Sequence, residues 1–598
     1  MSKKTVITSA LIYTNNIPHL GNIIGSVLSA DVYSRYLKSY YPREKTLFVG
    51  GVDEYGTATE VKARELNISC KELCDTNGIL HKCIYDWLLI KFDCYGRTSQ
   101  PNGDPSKPQL DWPQTKITHE IFKNLCKNGY VIERNELVMY CPELNTFVAD
   151  RFVIAICPKC GSDKANSDQC DACGNLLTPD IVINPKYKLN PKLKLEVRTT
   201  TNLFIDTDKI WKDNNMTEWV QSRKSSWTKV ANSITEDWLN MGLLPRSITR
   251  DLKWGTIVPD TPLFDSKYSN KVFYVWFDAP IGYISITESC LGTTESESYW
   301  KDPETKFVQF MAKDNVPFHS VIFPVTLRGS KYSNFENLDL VATNYLLYEG
   351  NKFSKTSGIG LFCDDMIKIS EKYNLLPDYW RAYLIYVRPE KSDSNFVLND
   401  SGGFVDFINN ILIKNLGNLI HRILSIAFQI KNKHNIESFD IDIKSQEIKY
   451  ARDDQKALIT EYVTNMESYR FSDALKTCLK LSSNLNVYIN EVEPWNLIKD
   501  DSKTDKLYKS IETIYSRVND LAIMLEPFMP FTGNKIKNDF KIIFTSNTKT
   551  SLISTVYLPR EKPTILFRQV PLIIYELKPS AELKPLDKLK SAKNNIHL

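Results

Sequence analysis

The sequence predicts an α/β protein whose parallel sheet is split by a metal-binding insertion and followed by an all-α helix bundle. Three observations lead to this fold class. Strand and helix patterns alternate between residues 5 and 65, as they do at the start of a parallel sheet. Two Cys-x-x-Cys pairs then interrupt the pattern, and beyond residue 401 apolar residues recur at spacings of three and four.

The first elements place polar residues at one edge of the sheet. In order, the pattern predicts a strand over 5–13, a turn over 14–18, a helix over 23–37, a strand over 46–49 and a helix from 57. His19 and Asp53 each follow a predicted strand. Because ligands of open parallel sheets bind at the carboxyl ends of the strands, we expect both residues at a binding site.

The remaining elements divide the chain into five parts. Strand-like runs recur at 272–276, 306–310, 321–324 and 338–342, and helical patterns cover 404–430, 453–469, 472–489 and 506–525. The predicted parts are the first half of the α/β domain (1–111), the insertion (112–232), the second half (233–400), the helical domain (401–545) and a carboxyl-terminal appendage (546–598).

Composition excludes several classes of protein. With 598 residues, 42% of them hydrophobic, and a net charge of +4, the chain is neither disordered nor a polycation. No run of purely apolar residues approaches the ~18 needed to cross a bilayer, so we expect no membrane association. The first residues lack a signal or transit pattern, and most of the 13 cysteines are scattered singly, so we expect a reducing cytoplasmic location.

Four cysteines form a predicted metal site. Cys157 and Cys160 make one Cys-x-x-Cys pair, and Cys170 and Cys173 make a second pair nine residues later. Four thiolates at this spacing are typical of tetrahedral zinc. Since no coordination position stays open, the predicted zinc is structural.

Two further segments favour phosphate chemistry. His19 and Asn22 lie three residues apart at a predicted helix start, where backbone N–H groups and the helix dipole attract anions. Lys352 and Lys355 belong to a basic loop that could stabilise a departing pyrophosphate. Taken singly, a capped histidine and a solvated basic loop are the more common explanations.

Together these segments resemble the HIGH and KMSKS signatures of class I aminoacyl-tRNA synthetases, and the surrounding sequence resembles the methionyl-tRNA synthetase family of eukaryotic and archaeal type. The resemblance runs from about residue 5 to 530 and implies a Rossmann-type catalytic domain. It rests on both signatures and on the segments 10–13, 51–56, 274–283 and 313–319.

The resemblance implies roles for individual residues. The implied catalytic residues are His19, Asn22, Lys352 and Lys355, of which His19, Asn22 and Lys355 also bind ATP. The implied methionine-binding residues are Leu11, Tyr13, Asp53, Trp276, Tyr283 and His319. The implied anticodon-reading residues are Asn418, Arg422 and Trp495.

The residue types suit those roles. Aromatic walls suit a thioether, and a carboxylate such as Asp53 suits an ammonium group, although any one of these aromatics alone is more often part of a core. Asn418 and Arg422 lie on one face of a predicted helix, where a plain polar face is the usual explanation.

The chain departs from the family pattern at a few positions. Asn22, Phe353 and Thr356 replace the usual residues of the two signatures, whereas both lysines are kept. Cys141 looks like half of a further knuckle found in some relatives, but Leu144 stands at the partner position, which leaves a second metal site open.

The resemblance implies ATP-dependent activation of L-methionine and transfer to tRNA-Met, with Mg²⁺ accompanying ATP. Leucyl, isoleucyl and valyl enzymes need a long editing domain, for which the insertion is too short, and a cysteinyl enzyme needs zinc in its catalytic pocket. A tRNA-binding paralogue without catalysis and a metabolic nucleotidyltransferase are the alternatives from other classes. We expect a monomer, and membership of a larger assembly stays open.

Overall fold

The central sheet organises the amino-terminal two thirds of the chain. The computed structural model describes residues 3–99, 108–168, 170, 172–173, 175, 177–354, 358–442, 446–548, 551–559 and 561–573. The sheet contains six strands, which are β1 (Lys4–Ser9), β2 (Ile12–Tyr13), β3 (Lys45–Asp53), β4 (Cys94–Arg97), β5 (Lys306–Ala312) and β6 (Asn337–Thr343). Their order is β6-β5-β1-β3-β2, with β4 also paired to β3.

Every pairing in this sheet is parallel, as the alternating pattern predicts. Thr5 of β1 lies between Thr46 of β3 and Lys306 of β5, so β1 pairs with a strand that is 301 residues away in the chain. The carboxyl ends of β1, β2, β3 and β5 therefore meet at one edge. Both faces are covered by apolar side chains, which explains the continuous apolar runs of the strands.

Helices cover the sheet on both faces. Those of the α/β part are Leu20–Asn22, Leu28–Tyr40, Thr57–Glu65, Cys70–Trp87, Pro113–Lys127, Val275–Asp278, Gly282–Leu291, Thr293–Trp300, Phe323–Gly329, Cys363–Tyr373 and Pro377–Tyr386, with π-helical segments at Ile23–Val27 and Phe318–Ile322. The short strands Leu346–Tyr348 and Ser394–Phe396 pair in parallel beside them, and Thr249–Arg250 pairs with Val272–Phe273.

Two strand predictions are wrong. The predicted strand over 321–324 is helical, because Phe318–Ile322 continues into the helix Phe323–Gly329 with Pro324 in its first turn. The predicted strand over 272–276 ends at Phe273, and Val275 begins a helix. A short buried apolar run has no period that separates strand from helix, so tertiary packing decides between them.

The insertion forms its own antiparallel sheet. The strands of this sheet, in spatial order, are Arg246–Ser247, Glu196–Ile205, Val131–Cys141 and Thr146–Val148, of which Arg246–Ser247 lies beyond the predicted end of the insertion. A separate pair joins Val153–Ile156 to Ile183–Tyr187. The helices Thr207–Asp213, Met216–Arg223 and Lys229–Asn240 follow. Trp219 and Trp227 donate their Nε1–H groups to the carbonyls of Glu336 and Leu338, so these helices pack along β6. The domain boundary at 232 stays a prediction.

The carboxyl-terminal part is helical, as predicted, with one small sheet. Its helices are Phe404–Asp406, Asn418–His434, Gln446–Glu467, Phe471–Val492, Pro494–Leu497, Thr504–Leu525 and Pro530–Asp539, and a π-helical segment spans Phe407–Gly417. The strands Ser438–Asp442, Ile542–Thr548 and Ser551–Tyr557 form an antiparallel sheet beside the bundle. Residues 561–573 pack back onto it, where Asn409 and Asn399 hydrogen-bond the backbone of Val570 and Ile573.

One helical stretch of the bundle is unusually apolar. Phe404–His434 is long and apolar enough, by length and composition alone, to cross a membrane, and half of its most apolar window is buried inside the protein. The core helix of a soluble protein passes the same test, so the stretch is weak evidence of a membrane span. By length and composition alone, Phe404–His434 is therefore an exception to the expectation that the chain has no stretch long enough to cross a bilayer.

Candidate functional site

A cavity of about 380 Å³ opens at the carboxyl edge of the central sheet. Its walls come from the residues after β1 and β2, the end of β3, the helix start at 19–26 and the segments after Tyr274 and β5. Eight of the sequence-predicted site residues line it, namely Leu11, Tyr13, His19, Asn22, Asp53, Trp276, Tyr283 and His319. The first and last of these residues are 308 positions apart in the chain, and the sheet topology brings them together.

His19 and Asn22 hold each other at the helix start. The backbone N–H of Asn22 donates to His19 Nδ1 at 3.3 Å, and the N–H of His19 donates to Asn22 Oδ1 at 3.1 Å. This reciprocal capping makes Nδ1 the acceptor, so Nε2 carries the proton of the neutral ring. Burial lowers the pKa of His19 to about 4. The site therefore presents a neutral N–H donor in a fixed orientation.

Gly21 permits this arrangement, because a Cβ there would lie 3.0 Å from two atoms of the His19 ring. The ring also stacks on Phe353, with centroids 4.4 Å apart and planes 7° apart. Phe353 belongs to the second signature, so the structure brings the two signature segments into contact. Lys352 is exposed, with its Nζ 5.3 Å from the Tyr345 ring. Lys355 and Thr356 lie outside the described residues.

Asp53 is a buried carboxylate without a cationic partner among the described residues. It ends β3, is 3% exposed and accepts the Tyr55 backbone N–H at 3.3 Å. Burial and the nearby charge of Asp278 raise its pKa well above the usual value. Its neighbour Glu54 differs, since Glu54 is paired with Arg97 at 2.5 Å. Asp53 thus has no cation paired with it among the described residues and can receive a cationic ligand.

Asp278 is a functional candidate that the sequence analysis did not identify. It is buried and accepts the Thr256 hydroxyl at 2.6 Å, while its other oxygen has no hydrogen-bond partner in the described part of the chain. Burial raises its pKa to about 7. The residue lies inside the segment 274–283, but only the fold shows that its charge acts on Asp53.

Aromatic rings form the apolar wall of the cavity. Trp276 stacks on Phe318 with centroids 3.8 Å apart, and the ring of Tyr13 meets Trp276 edge-on at 6.0 Å. Behind them the hydroxyl of Tyr283 and Nε2 of His319 are 2.9 Å apart, and His319 Nδ1 lies 2.9 Å from the carbonyl of Asn315. Since that carbonyl can only accept, Nδ1 carries the proton and Nε2 accepts from Tyr283.

This pairing leaves the polar atoms of Tyr283 and His319 satisfied, and burial lowers the pKa of His319 to about 4. The pocket therefore offers a ligand a neutral, largely apolar surface with a polarisable aromatic wall. Asp314 and Asn315 also line the cavity although sequence reasoning gave them no role. Their position directly after β5 could have predicted that they lie at the binding edge of the sheet.

The four predicted zinc ligands converge. All four sulfur atoms lie within 4.8 Å of one another, with Cys157 and Cys173 sulfurs 3.8 Å apart and Cys160 and Cys170 sulfurs 3.7 Å apart. Four sulfurs bound at 2.3 Å around a tetrahedral zinc would be about 3.8 Å apart, so the donor set fits zinc. Cys141 shares a buried apolar cluster with Cys157 and Cys170 but is not one of the four converging ligands, and its thiol lies 3.6 Å from Glu143.

A larger cavity of about 580 Å³ lies between this knuckle and the catalytic core. It shares Tyr13 and Trp276 with the smaller cavity, so these two rings separate the two spaces. None of the predicted phosphate-binding residues lines it. The smaller cavity is therefore the candidate active site.

The residues to which the resemblance gives an anticodon-reading role, Asn418, Arg422 and Trp495, lie on the helical domain. Arg422 donates from Nη2 to Asn490 Oδ1 at 2.6 Å, and its guanidinium lies 4.7 Å from the centre of the Trp495 ring. Asn418 is exposed one turn earlier on the same helix. Sequence reasoning missed Asn490, which orients Arg422 from the helix Phe471–Val492.

Comparison with known proteins agrees with this organisation. Residues 5–424 match the family model for tRNA synthetases class I (M), and residues 449–585 match that for the anticodon-binding domain of tRNA ligase. The human cytoplasmic methionine--tRNA ligase is 40% identical over 550 residues, which cover 90% of this chain and 57% of that protein. The cytoplasmic enzyme of Saccharomyces cerevisiae is 40% identical over 89% of this chain and 67% of its own length.

The chain thus spans about three fifths of the length of these relatives. Among solved structures, Mycobacterium tuberculosis methionyl-tRNA synthetase in complex with methionyl-adenylate superposes with a TM-score of 0.72 at 19% identity, covering 94% of this chain and 99% of that one. That likeness concerns the fold. The family match over residues 5–424 and the identity with the cytoplasmic ligases establish that the chain belongs to the class I tRNA synthetases of the methionyl type.

Proposed function

We propose that the chain is a methionine--tRNA ligase, which joins L-methionine to ATP as methionyl-adenylate and then transfers the methionyl group to tRNA-Met. The observation that carries the proposal is one cavity that collects a phosphate-type helix start, a buried carboxylate with no cationic partner in the described part of the chain, and an aromatic pocket. The family relationship supports the same activity.

In the proposed complex, Asp53 receives the ammonium group of methionine. The side chain enters between Leu11, Tyr13 and Trp276, with the Tyr283–His319 pair at its end. A thioether gains from ring contacts and requires no hydrogen-bond donor, which suits a pocket whose polar atoms are already paired. A shorter or branched side chain such as valine would leave part of this surface unfilled.

ATP would bind at the helix start. His19 would donate from Nε2 to a phosphate oxygen, and Asn22 would offer the amide nitrogen that its capping bond leaves unused. The methionine carboxylate attacks the α-phosphorus in line and pyrophosphate departs, so the chain contributes position and charge rather than a nucleophile. We assign Lys352 and Lys355 to the departing pyrophosphate. Mg²⁺ bound with ATP would neutralise phosphate charge.

Transfer of the methionyl group requires tRNA recognition at a distance. We propose that Trp495 stacks an unpaired anticodon base while Asn418 and Arg422 bind base edges. The contact of Arg422 with Trp495 supports this role, because it holds a cation and an aromatic plane next to each other on an accessible surface.

The four-cysteine site would hold one structural zinc ion and take no part in the chemistry. Metal analysis of the purified protein should give one equivalent of zinc, and none after all four cysteines are replaced. We further propose a cytoplasmic monomer. The named location of the relatives supports the first part, and the mass measured by light scattering tests the second.

The decisive experiment is amino-acid-dependent ATP–pyrophosphate exchange with methionine, leucine, isoleucine, valine and cysteine. We expect exchange with methionine alone. Exchange with another amino acid would refute the pocket assignment. No exchange with any of them, from folded and zinc-loaded protein that still binds tRNA, would indicate a tRNA-binding paralogue. Adenylation of a small metabolite instead would indicate a metabolic nucleotidyltransferase.

A further inference from the structure

The loop that precedes His19 is hydrogen-bonded to side chains of the helix Cys70–Trp87 on the side away from the cavity. Residues 14–18 connect β2 to the helix start, and residues 15–18 line the cavity. The loop has no regular secondary structure. Its carbonyl groups therefore need other partners, and what holds them decides where Tyr13 and His19 stand relative to each other.

The carbonyl of Pro18 accepts the backbone N–H of Cys363 at 3.0 Å, whereas the partners of the Thr14 and Asn16 carbonyls come from one face of the helix Cys70–Trp87. Asn77 donates from Nδ2 to the carbonyl of Thr14 at 2.5 Å, and His81 Nε2 lies 2.8 Å from the carbonyl of Asn16. Cys74 lies 3.4 Å from the Thr14 hydroxyl. Cys74, Asn77 and His81 are spaced at i, i+3 and i+7, so they form one stripe directed at the loop.

The stripe is buried, since Cys74 and His81 have no exposed surface and Asn77 is 3% exposed. The carbonyl of Asn16 can only accept, so His81 carries its proton on Nε2. Its other nitrogen, Nδ1, lies 3.5 Å from the Tyr85 hydroxyl. Burial lowers the pKa of His81 to about 4, so the ring stays neutral. His81 thus acts as a hydrogen-bond donor and does not titrate near neutral pH.

We propose that Asn77 and His81 are positioning residues for the adenylation reaction, which fix loop 14–18 and thereby the spacing between the methionine pocket at Tyr13 and the ATP site at His19. Neither side chain lines the cavity. They act through the backbone of the loop, and the inference rests on the proposed function because its activity is the main readout.

The reasoning is geometric. In-line attack requires the carboxylate and the α-phosphorus to be held at one distance and angle, and misplacement by 1 Å costs about 100-fold in rate. Methionine is bound on the β2 side of the loop and ATP on the helix side. A loop released from Asn77 and His81 would let the two substrates bind separately but seldom in the reactive arrangement.

The test compares two amides at residue 81. His81→Gln places an N–H donor close to the original Nε2 position, whereas His81→Asn carries the same donor one methylene short of the carbonyl. We expect His81→Asn to lower kcat of methionine-dependent ATP–pyrophosphate exchange by about 100-fold. The KM values should change by less than about threefold, and His81→Gln should stay within about threefold of the wild type.

The controls separate positioning from folding and from proton transfer. Thr76→Val changes a buried residue of the same helix that makes none of the loop's hydrogen bonds, and it should keep full activity. Asn77→Leu should reproduce the kcat loss if His81→Asn does not fold. The pH profile of His81→Gln should match that of the wild type, because a neutral donor is replaced by a neutral donor. A changed profile would contradict the donor role.

Hydrogen–deuterium exchange makes the test independent of activity. His81→Asn should speed backbone exchange in residues 12–19 and His81→Gln should not. If the wild type shows this protection but no pyrophosphate exchange, the proposed function fails, while the finding that Asn77 and His81 hold loop 14–18 remains. If His81→Asn keeps the wild-type kcat per folded molecule, or if His81→Gln is as impaired as His81→Asn, the positioning role is refuted.

Discussion

The cavity at the sheet edge and the Arg422 surface of the helical domain hold their polar side chains in opposite ways. In the cavity, Asp53 is buried and has no cation paired with it among the residues that the structure describes, while His19 is neutral and held by a reciprocal cap. On the helical domain, Arg422 is a partly exposed cation that is shared between Asn490 and Trp495.

The difference indicates where binding energy is used. A buried, preorganised group acts mainly on the reaction step, because the substrate or the transition state supplies the interaction partner that the fold does not provide. An exposed group already has partners and gains less from a ligand. Substitutions in the cavity should therefore affect pyrophosphate exchange most strongly, and those on the helical domain should affect only tRNA charging.

The largest effect is expected for Asp53→Asn, which removes the charge and keeps the shape. Truncating one partner of a buried ion pair costs about 2–5 kcal/mol, so kcat/KM for methionine should fall by at least about 30-fold. The KM for ATP should not change. Steady-state pyrophosphate exchange measures both, and a wild-type kcat/KM for methionine would refute the role of Asp53.

The same substitution should raise thermal stability. The folded-state pKa of Asp53 is raised, so the stability it contributes is present below its unfolded pKa and is lost as pH rises through the folded value. At pH above that value, the ionised carboxylate weighs against folding, and Asp53→Asn should increase Tm. Glu54→Gln is the matched control. Burial raises the pKa of Glu54 as well, but Glu54 is paired with Arg97, so Glu54→Gln leaves that guanidinium without its buried charged partner and should lower Tm.

The next effect is expected for His19→Asn. Asparagine can still cap the helix through Oδ1, but it loses the donor that Nε2 presents to the cavity. Loss of one preorganised donor should lower kcat of pyrophosphate exchange by about 100-fold with little change in Tm. If Tm falls in parallel with kcat, His19 serves the helix start and not the reaction.

A smaller effect is expected on the helical domain. Trp495→Leu removes the aromatic plane beside Arg422, and stacking of one base contributes about 1–3 kcal/mol. We expect kcat/KM for tRNA to fall by about fivefold or more while methionine-dependent exchange stays unchanged. Trp495→Phe keeps a plane and should lose less. A parallel loss of exchange would contradict the separation of the two regions.

The sequence predicts the position of the cavity better than the contacts within it, because the position follows from the order of strands and helices in a parallel sheet. His19 and Asp53 follow strands, and parallel strands bring their carboxyl ends together without further information. Cys157 and Cys170 are similarly predictable, since metal ligands carry their geometry in their spacing.

The rest depends on partners that are distant in the chain. Three interactions join elements that no local sequence pattern relates. They are the effect of the Asp278 charge on Asp53, the contact of Asn490 with Arg422, and the donation from His81 to the Asn16 carbonyl. The predicted strand over 321–324 is helical, because a buried apolar run has no period that separates strand from helix.

The smallest effect is expected for Asn22→His, which restores the residue usual in the first signature. Asn22 already accepts the His19 N–H through Oδ1 and leaves its amide nitrogen for a ligand, so a histidine adds one donor at most. Exchange should stay within about threefold of the wild type. Asn22→Leu removes both functions and should lower kcat by about tenfold. If Asn22→His instead raised exchange by orders of magnitude, the asparagine would limit the reaction, and preorganisation of His19 alone would not explain how the cavity works.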